Sequence, residues 1–180
     1  MTTLREPDAS LREPRTGTVI SASVAATDRS FTVERAAPDD AEAISALLAR
    51  AAPETIALDA HAVRARHGRF VIVRDDEEVV AVTALHPLDD DALEVRSVAV
   101  APTHRGSGLG RRVVRAALDS PTARRKHVWC YTFRPGFFAS LGFESAAVED
   151  APMPARPGRP RRLDGRERRA MHRPPREVSL

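Results

Sequence analysis

The stretch Val98-Ala99-Val100-Ala101-Pro102-Thr103-His104-Arg105-Gly106-Ser107-Gly108-Leu109-Gly110-Arg111 decides how this chain is read. An apolar run suited to a strand leads into a turn with glycines at 106, 108 and 110, and the turn opens a helical pattern from about Gly108 to Asp119. Glycine lets the backbone approach a ligand with no Cβ in the way, and the first amides of a helix have no partner inside it. Such amides, at the positive end of the helix dipole, form a phosphate site. No Gly-Lys-Ser/Thr closes the turn as in a P-loop, and the spacing is not the Gly-x-Gly-x-x-Gly of a dinucleotide site. A different phosphate-bearing ligand is implied, unless the glycines merely tighten a strand-to-helix junction.

Outward from this turn the pattern stays mixed. Upstream, Phe31 to Arg35 reads as a short strand. Pro38 suits a first helical position, Asp39 and Asp40 suit the positive dipole end, and Ile44, Leu47, Leu48 and Ala51 recur at helical spacing. A second helix starts after Asp59 as N-cap and stops at Gly68. Phe70 to Arg74 and Val79 to Leu85, joined by Asp75-Asp76-Glu77-Glu78, make a hairpin, and Leu93 to Val100 is the next strand. Downstream come a strand His127 to Phe133, a short helix Gly136 to Leu141 and a last strand near Phe143 to Val148. Strands and helices in this order predict an α/β domain with a mixed sheet.

The ends read differently. Residues 1–30 have few large apolar side chains and no period, which predicts a disordered leader. Residues 151–180 carry nine arginines and six prolines, which predicts a disordered Arg/Pro-rich tail able to bury little surface. Both ends are therefore expected to contribute little to stability, and the folded domain to span residues 31–150. The tail's nine arginines against three acids give it +6, so the first 150 residues carry −3 of the net +3. Nucleic-acid binding would have to come through the tail alone. A single cysteine, Cys130, excludes an internal disulfide and a cysteine zinc ribbon, and no metal site is expected. No apolar run reaches the roughly 20 residues of a membrane span. Met1 to Pro14 lacks the apolar stretch of a signal peptide, which makes the cytoplasm the default compartment.

Arg105, Gly108 and Gly110 meet the pyrophosphate pattern Arg/Gln-x-x-Gly-x-Gly/Ala, and Gly136-Phe137-Phe138-Ala139-Ser140-Leu141-Gly142-Phe143 supplies a short helix ending in Leu-Gly-Phe. In both the chain resembles the GNAT acetyltransferase superfamily. Ala84-Leu85-His86-Pro87, the segment from Leu93 to Val100, and that from Val128 to Phe138 are similar to the short N-acetylglutamate synthase type. The resemblance covers about Phe31 to Val148. It implies a GNAT-like mixed β-sheet flanked by helices, acetyl-CoA as cosubstrate, and transfer to the α-amine of a small amino acid, glutamate first. A protein amine or another small amine is the sibling acceptor, and a non-catalytic acyl-CoA- or nucleic-acid-binding protein the reading from another class; a homodimer is left open. The resemblance places the pantetheine arm along Val98, Ala99 and Val100, the phosphates on Arg105, Gly106, Ser107, Gly108, Leu109, Gly110 and Arg111, and Phe138 beside the coenzyme. Two departures stand out. The amino-acid-kinase domain of longer synthases has no counterpart in these residues, and no final strand is recognisable after Val148.

The chemistry needs a base, a polarised carbonyl and a proton for the leaving thiolate. The resemblance puts a catalytic carboxylate at Glu94, set against an ordinary solvated strand glutamate. A backbone N–H near Val98 or Ala99 can polarise the carbonyl. Phe138 stands where many relatives have a tyrosine acid, leaving Tyr131, Ser107 or solvent. A carboxylate-bearing acceptor calls for arginine, and Arg96 shares a strand face with Glu94, as Arg134 follows Thr132; structural ion pairs are the alternative. His86 is expected to be a loop histidine, and Cys130 a small buried apolar residue.

Overall fold

Pro38 and the two aspartates behave as their chemistry dictates. The computed structural model, which describes residues 31–152 and 162–176, has a 3-10 turn at Pro38–Asp40 in which the Asp40 carboxylate accepts from the Ala37 amide at 2.8 Å. Helix α1 (Ala41–Arg50) follows strand β1 (Phe31–Arg35) and buries Ile44, Leu47 and Leu48. Asp59 caps α2 (Ala60–Arg64) by accepting from Ala62 N at 2.7 Å. Strands β2 (Phe70–Asp75), β3 (Glu78–Pro87) and β4 (Ala92–Val100) form an antiparallel run with β1. Helix α3 (Leu109–Leu118) and the short α4 (Pro121–Arg124) lead to β5 (His127–Thr132), α5 (Pro135–Ala139) and β6 (Glu144–Ala146).

Val79 to Ala84 of β3 are buried without alternation, so both faces of the central sheet are covered. Helices α1 and α3 both pack against this strand. The sheet order is β1-β2-β3-β4-β5, then Arg169–Arg173, then β6, antiparallel except at β4–β5, giving the mixed α/β sheet expected. Among the described residues no helix is long and apolar enough to cross a membrane. The expected leader, residues 1–30, lies outside the described residues, as do 153–161 and 177–180 of the tail.

The rest of the tail departs from expectation. Arg162–Leu163 (β7) and Arg166–Glu167 (β8) make a small hairpin, and Arg169–Arg173 (β9) inserts between β5 and β6. Here is the final strand that could not be recognised after Val148. Ala170 and Met171 join the core, and the ladder is paired on both sides. Pro174 and Pro175 fall just past the strand end, so they remove no amide from that ladder. The domain thus extends beyond residue 150, to at least Arg173.

Candidate active site

The site begins where two strands part. Strands β4 and β5 pair over three rungs, Ala92 with His127, Leu93 with Val128 and Glu94 with Trp129, and over none beyond. A bulge in β4 lies just past this point: two residues, Ser97 and Val98, oppose Thr83 alone, and Ser97 holds φ +55°. A bulge bends its strand and re-aims the backbone, and here it does so where β5 has left β4. Into the opening runs a cavity of about 980 Å³, lined on one side by Val95 to Val100 and on the other by Tyr131 to Arg134.

At one end of this cavity stands the glycine turn. Gly106 and Gly108 hold φ +81° and +83°, and a Cβ built on either would meet nothing within 4 Å. Gly108 is the N-cap of α3 and contributes no side-chain cap, so the first-turn amides are left for a ligand. Gly110 plays another part, because its Cβ would press on Val100 Cγ2 at 3.3 Å and reach contact with the Phe137 ring at 3.6 Å. The turn is pinned from behind by His104, whose ring bridges Asp75 Oδ2 and Thr103 Oγ1 at 2.9 Å each. Its carbonyl accepts the Ser107 hydroxyl.

Glu94 is 0% exposed and does not line the cavity; Arg96 Nη1 lies 3.7 Å from its carboxylate and does line it. Every other residue expected at the site lines this one cavity except Ser107. Tyr131 is half-buried, and burial first, then the carboxylates of Glu94 and Glu149, push its phenol upward. The Thr132 hydroxyl accepts from the Arg134 amide at 2.9 Å. The Arg134 guanidinium lies on Glu54, with Nε at 2.9 Å from Oε2 and Nη2 at 2.8 Å from Oε1. Phe138 is buried edge-on between Phe137 and Phe143. Cys130 is buried, and burial together with Glu94 pushes its thiol well up, consistent with a packing role. His86 meets Arg69 Nη1 at 2.7 Å, away from the cavity lining.

These features coincide with a family. The model of the acetyltransferase (GNAT) family matches residues 33–143. The chain belongs to the GNAT acetyltransferases. Acetyl transfer from acetyl-CoA is the reaction class of this family. The cradle of open glycines, the uncapped start of α3 and the strand freed from its neighbour fit a donor with phosphates at one end and an extended arm. Over 79 residues this acetyltransferase is 37% identical to an amino-acid acetyltransferase of Mycobacterium tuberculosis, a match taking in 43% of this chain and 44% of that protein, less than half of either. Rv2747 of Mycobacterium tuberculosis, solved in complex with CoA and NLQ, aligns with TM-score 0.61 and 30% identity over 68% of this chain and 76% of that one. N-acetylglutamate synthase of Neisseria gonorrhoeae, solved with coenzyme A and N-acetyl-glutamate, shares the fold with TM-score 0.69 and 21% identity over 82% of this chain and 35% of that one.

Several cavity residues carry little or no signal in the sequence. Arg168, which places its guanidinium 4.5 Å over the Phe133 ring, enters from the segment read as tail, as does Asp164. Glu54 comes from the stretch between α1 and α2, which has no period to mark it. His104 had one signal, its place beside Arg105 in the glycine turn.

Proposed function

We propose that this acetyltransferase moves the acetyl group of acetyl-CoA to the α-amine of a small amino acid, glutamate first. The observation that carries the reading is the arginine lining of the cavity past the glycine turn: Arg96 from β4, Arg134 after β5 and Arg168 before β9. A planar guanidinium matches a carboxylate through two parallel hydrogen bonds, and a neutral amine acceptor would call for no such lining.

Acetyl-CoA supplies the thioester; the protein supplies position, charge and proton paths. The α3 amides and Arg105 hold the phosphates, and Val98 to Val100 hold the arm. A backbone N–H near Val98 or Ala99 polarises the carbonyl without any side chain. Glu94 takes the proton of the amine through water, since the carboxylate itself does not reach the cavity. Tyr131 gives a proton to the leaving thiolate. It is better placed than Ser107, whose hydroxyl is held by the His104 carbonyl outside the cavity, and its raised phenol stays protonated at neutral pH.

Kinetics of Arg96→Gln and Arg134→Gln with glutamate and with an uncharged amine test the acceptor. Without one charge-assisted hydrogen bond to the acceptor carboxylate, kcat/KM for glutamate should fall by about 10- to 100-fold. The acetyl-CoA constant should barely move, and the uncharged amine should be far less affected. Equal losses on both acceptors would make the arginines structural and remove the support for an amino-acid acceptor.

A further inference from the structure

Three separate segments meet on this cavity through four charged side chains. Glu54 comes from the stretch between α1 and α2, Arg134 from the turn before α5, and Asp164 and Arg166 from the β7–β8 hairpin. Arg134 grips the Glu54 carboxylate with both arms of its fork, at 2.9 and 2.8 Å, while Arg166 Nη2 donates to the same Oε1 at 3.1 Å and lies 3.5 Å from Asp164 Oδ2. Glu54, Arg134 and Asp164 all line the cavity.

The geometry of Arg134 on Glu54 is the one by which an arginine takes a free carboxylate. Here the chain provides the carboxylate itself. The Arg134 contact also holds the Glu54 carboxyl below the ordinary glutamate range, so it is an anion at neutral pH. Yet the pair is loosely held, since the Glu54 and Arg134 side chains are 38% and 61% exposed. Solvent screening and side-chain entropy leave an exposed ion pair little net stability, so a competing carboxylate can exchange with it. A purely structural latch gains little from such a position, whereas a replaceable counter-ion needs it.

We infer that Glu54 is an internal competitor of the acceptor: it occupies the Arg134 fork and yields it to the side-chain carboxylate of a dicarboxylic amino acid. This rests on the amino-acid reading above and adds to it the basis of selection. An acceptor with a second carboxylate replaces the ion pair it breaks. An uncharged side chain of the same length gains nothing from the exchange.

Steady-state kinetics at saturating acetyl-CoA, with glutamate and glutamine as acceptors, test this in the parent, in Glu54→Gln and in Glu54→Ala. Removing the competitor should lower KM for glutamate and raise the glutamate-to-glutamine ratio of kcat/KM by roughly two- to fivefold, the range of an exposed ion pair. The gain should vanish when Arg134→Gln is already present. A change that moves both acceptors alike, or a glutamate KM that rises, would overturn the inference while leaving the amino-acid reading intact. A parent enzyme that acetylates neither acceptor would overturn that reading, and the inference with it.

Discussion

Arg96 Nη1 stands 3.7 Å from Glu94 Oε2, two residues apart on one face of β4, and Glu94 is the last residue of that strand still paired to β5. The carboxylate is buried to 0% exposure while the arginine reaches the cavity. Arg96 therefore offsets a buried charge and faces the cavity at once. Removing one partner of a buried pair takes a counter-charge from the other. Arg96→Gln should cost about 1 to 3 kcal/mol of stability in denaturant unfolding, and Glu94→Gln added to it should recover part of that loss. Losses that simply add would show that the two side chains do not act as a pair.

Glu94→Gln alone is expected to lower turnover at neutral pH by about 10²- to 10⁴-fold, the usual worth of a positioned base, with acetyl-CoA affinity nearly intact. Turnover within a few-fold of the parent would take the role from Glu94.

The glycines divide into two kinds. Gly108→Val places a side chain at φ +83° on the open side of the turn, so the domain should stay folded while acetyl-CoA binding, read by calorimetry, weakens strongly. Gly110→Val drives a side chain into Val100 and Phe137, and its main loss should appear in thermal stability. Unchanged acetyl-CoA affinity in a folded Gly108 variant would remove the phosphate site from the turn.

What could be read from the sequence was what local chemistry constrains. Glycines at 106, 108 and 110, the Asp59 cap and the apolar spacing of α1 each carry their own reason, and each appears where it was expected. Strand β9 has no such signature. Of its five residues only Ala170 and Met171 are apolar, and it lies between prolines in an arginine-rich stretch. Its stability comes from ladders to β5 and β6 on both sides, a property of the sheet rather than of the segment. The Arg134 pairing with Glu54 is illegible in the sequence for a similar reason. Glu54 is eighty residues away in sequence, and only the fold brings the two together.

Deleting residues 162–180 tests the place of β9 in the sheet. Loss of β9 opens both ladders and uncovers the surface around Met171, so the melting temperature should fall steeply, with an expected cost above about 3 kcal/mol. A truncated chain that melts near the parent value would return the segment to the role of a dispensable tail.

The acceptor is decided by thiol release from acetyl-CoA, measured with the purified protein against each free amino acid in turn and against a polyamine and a short peptide. CoA release should depend on an added amino acid, greatest with glutamate and small with the polyamine and the peptide, with the N-acetylated amino acid recovered as product. Release driven best by the peptide or the polyamine, or no release with any amino acid, would contradict an amino-acid acceptor.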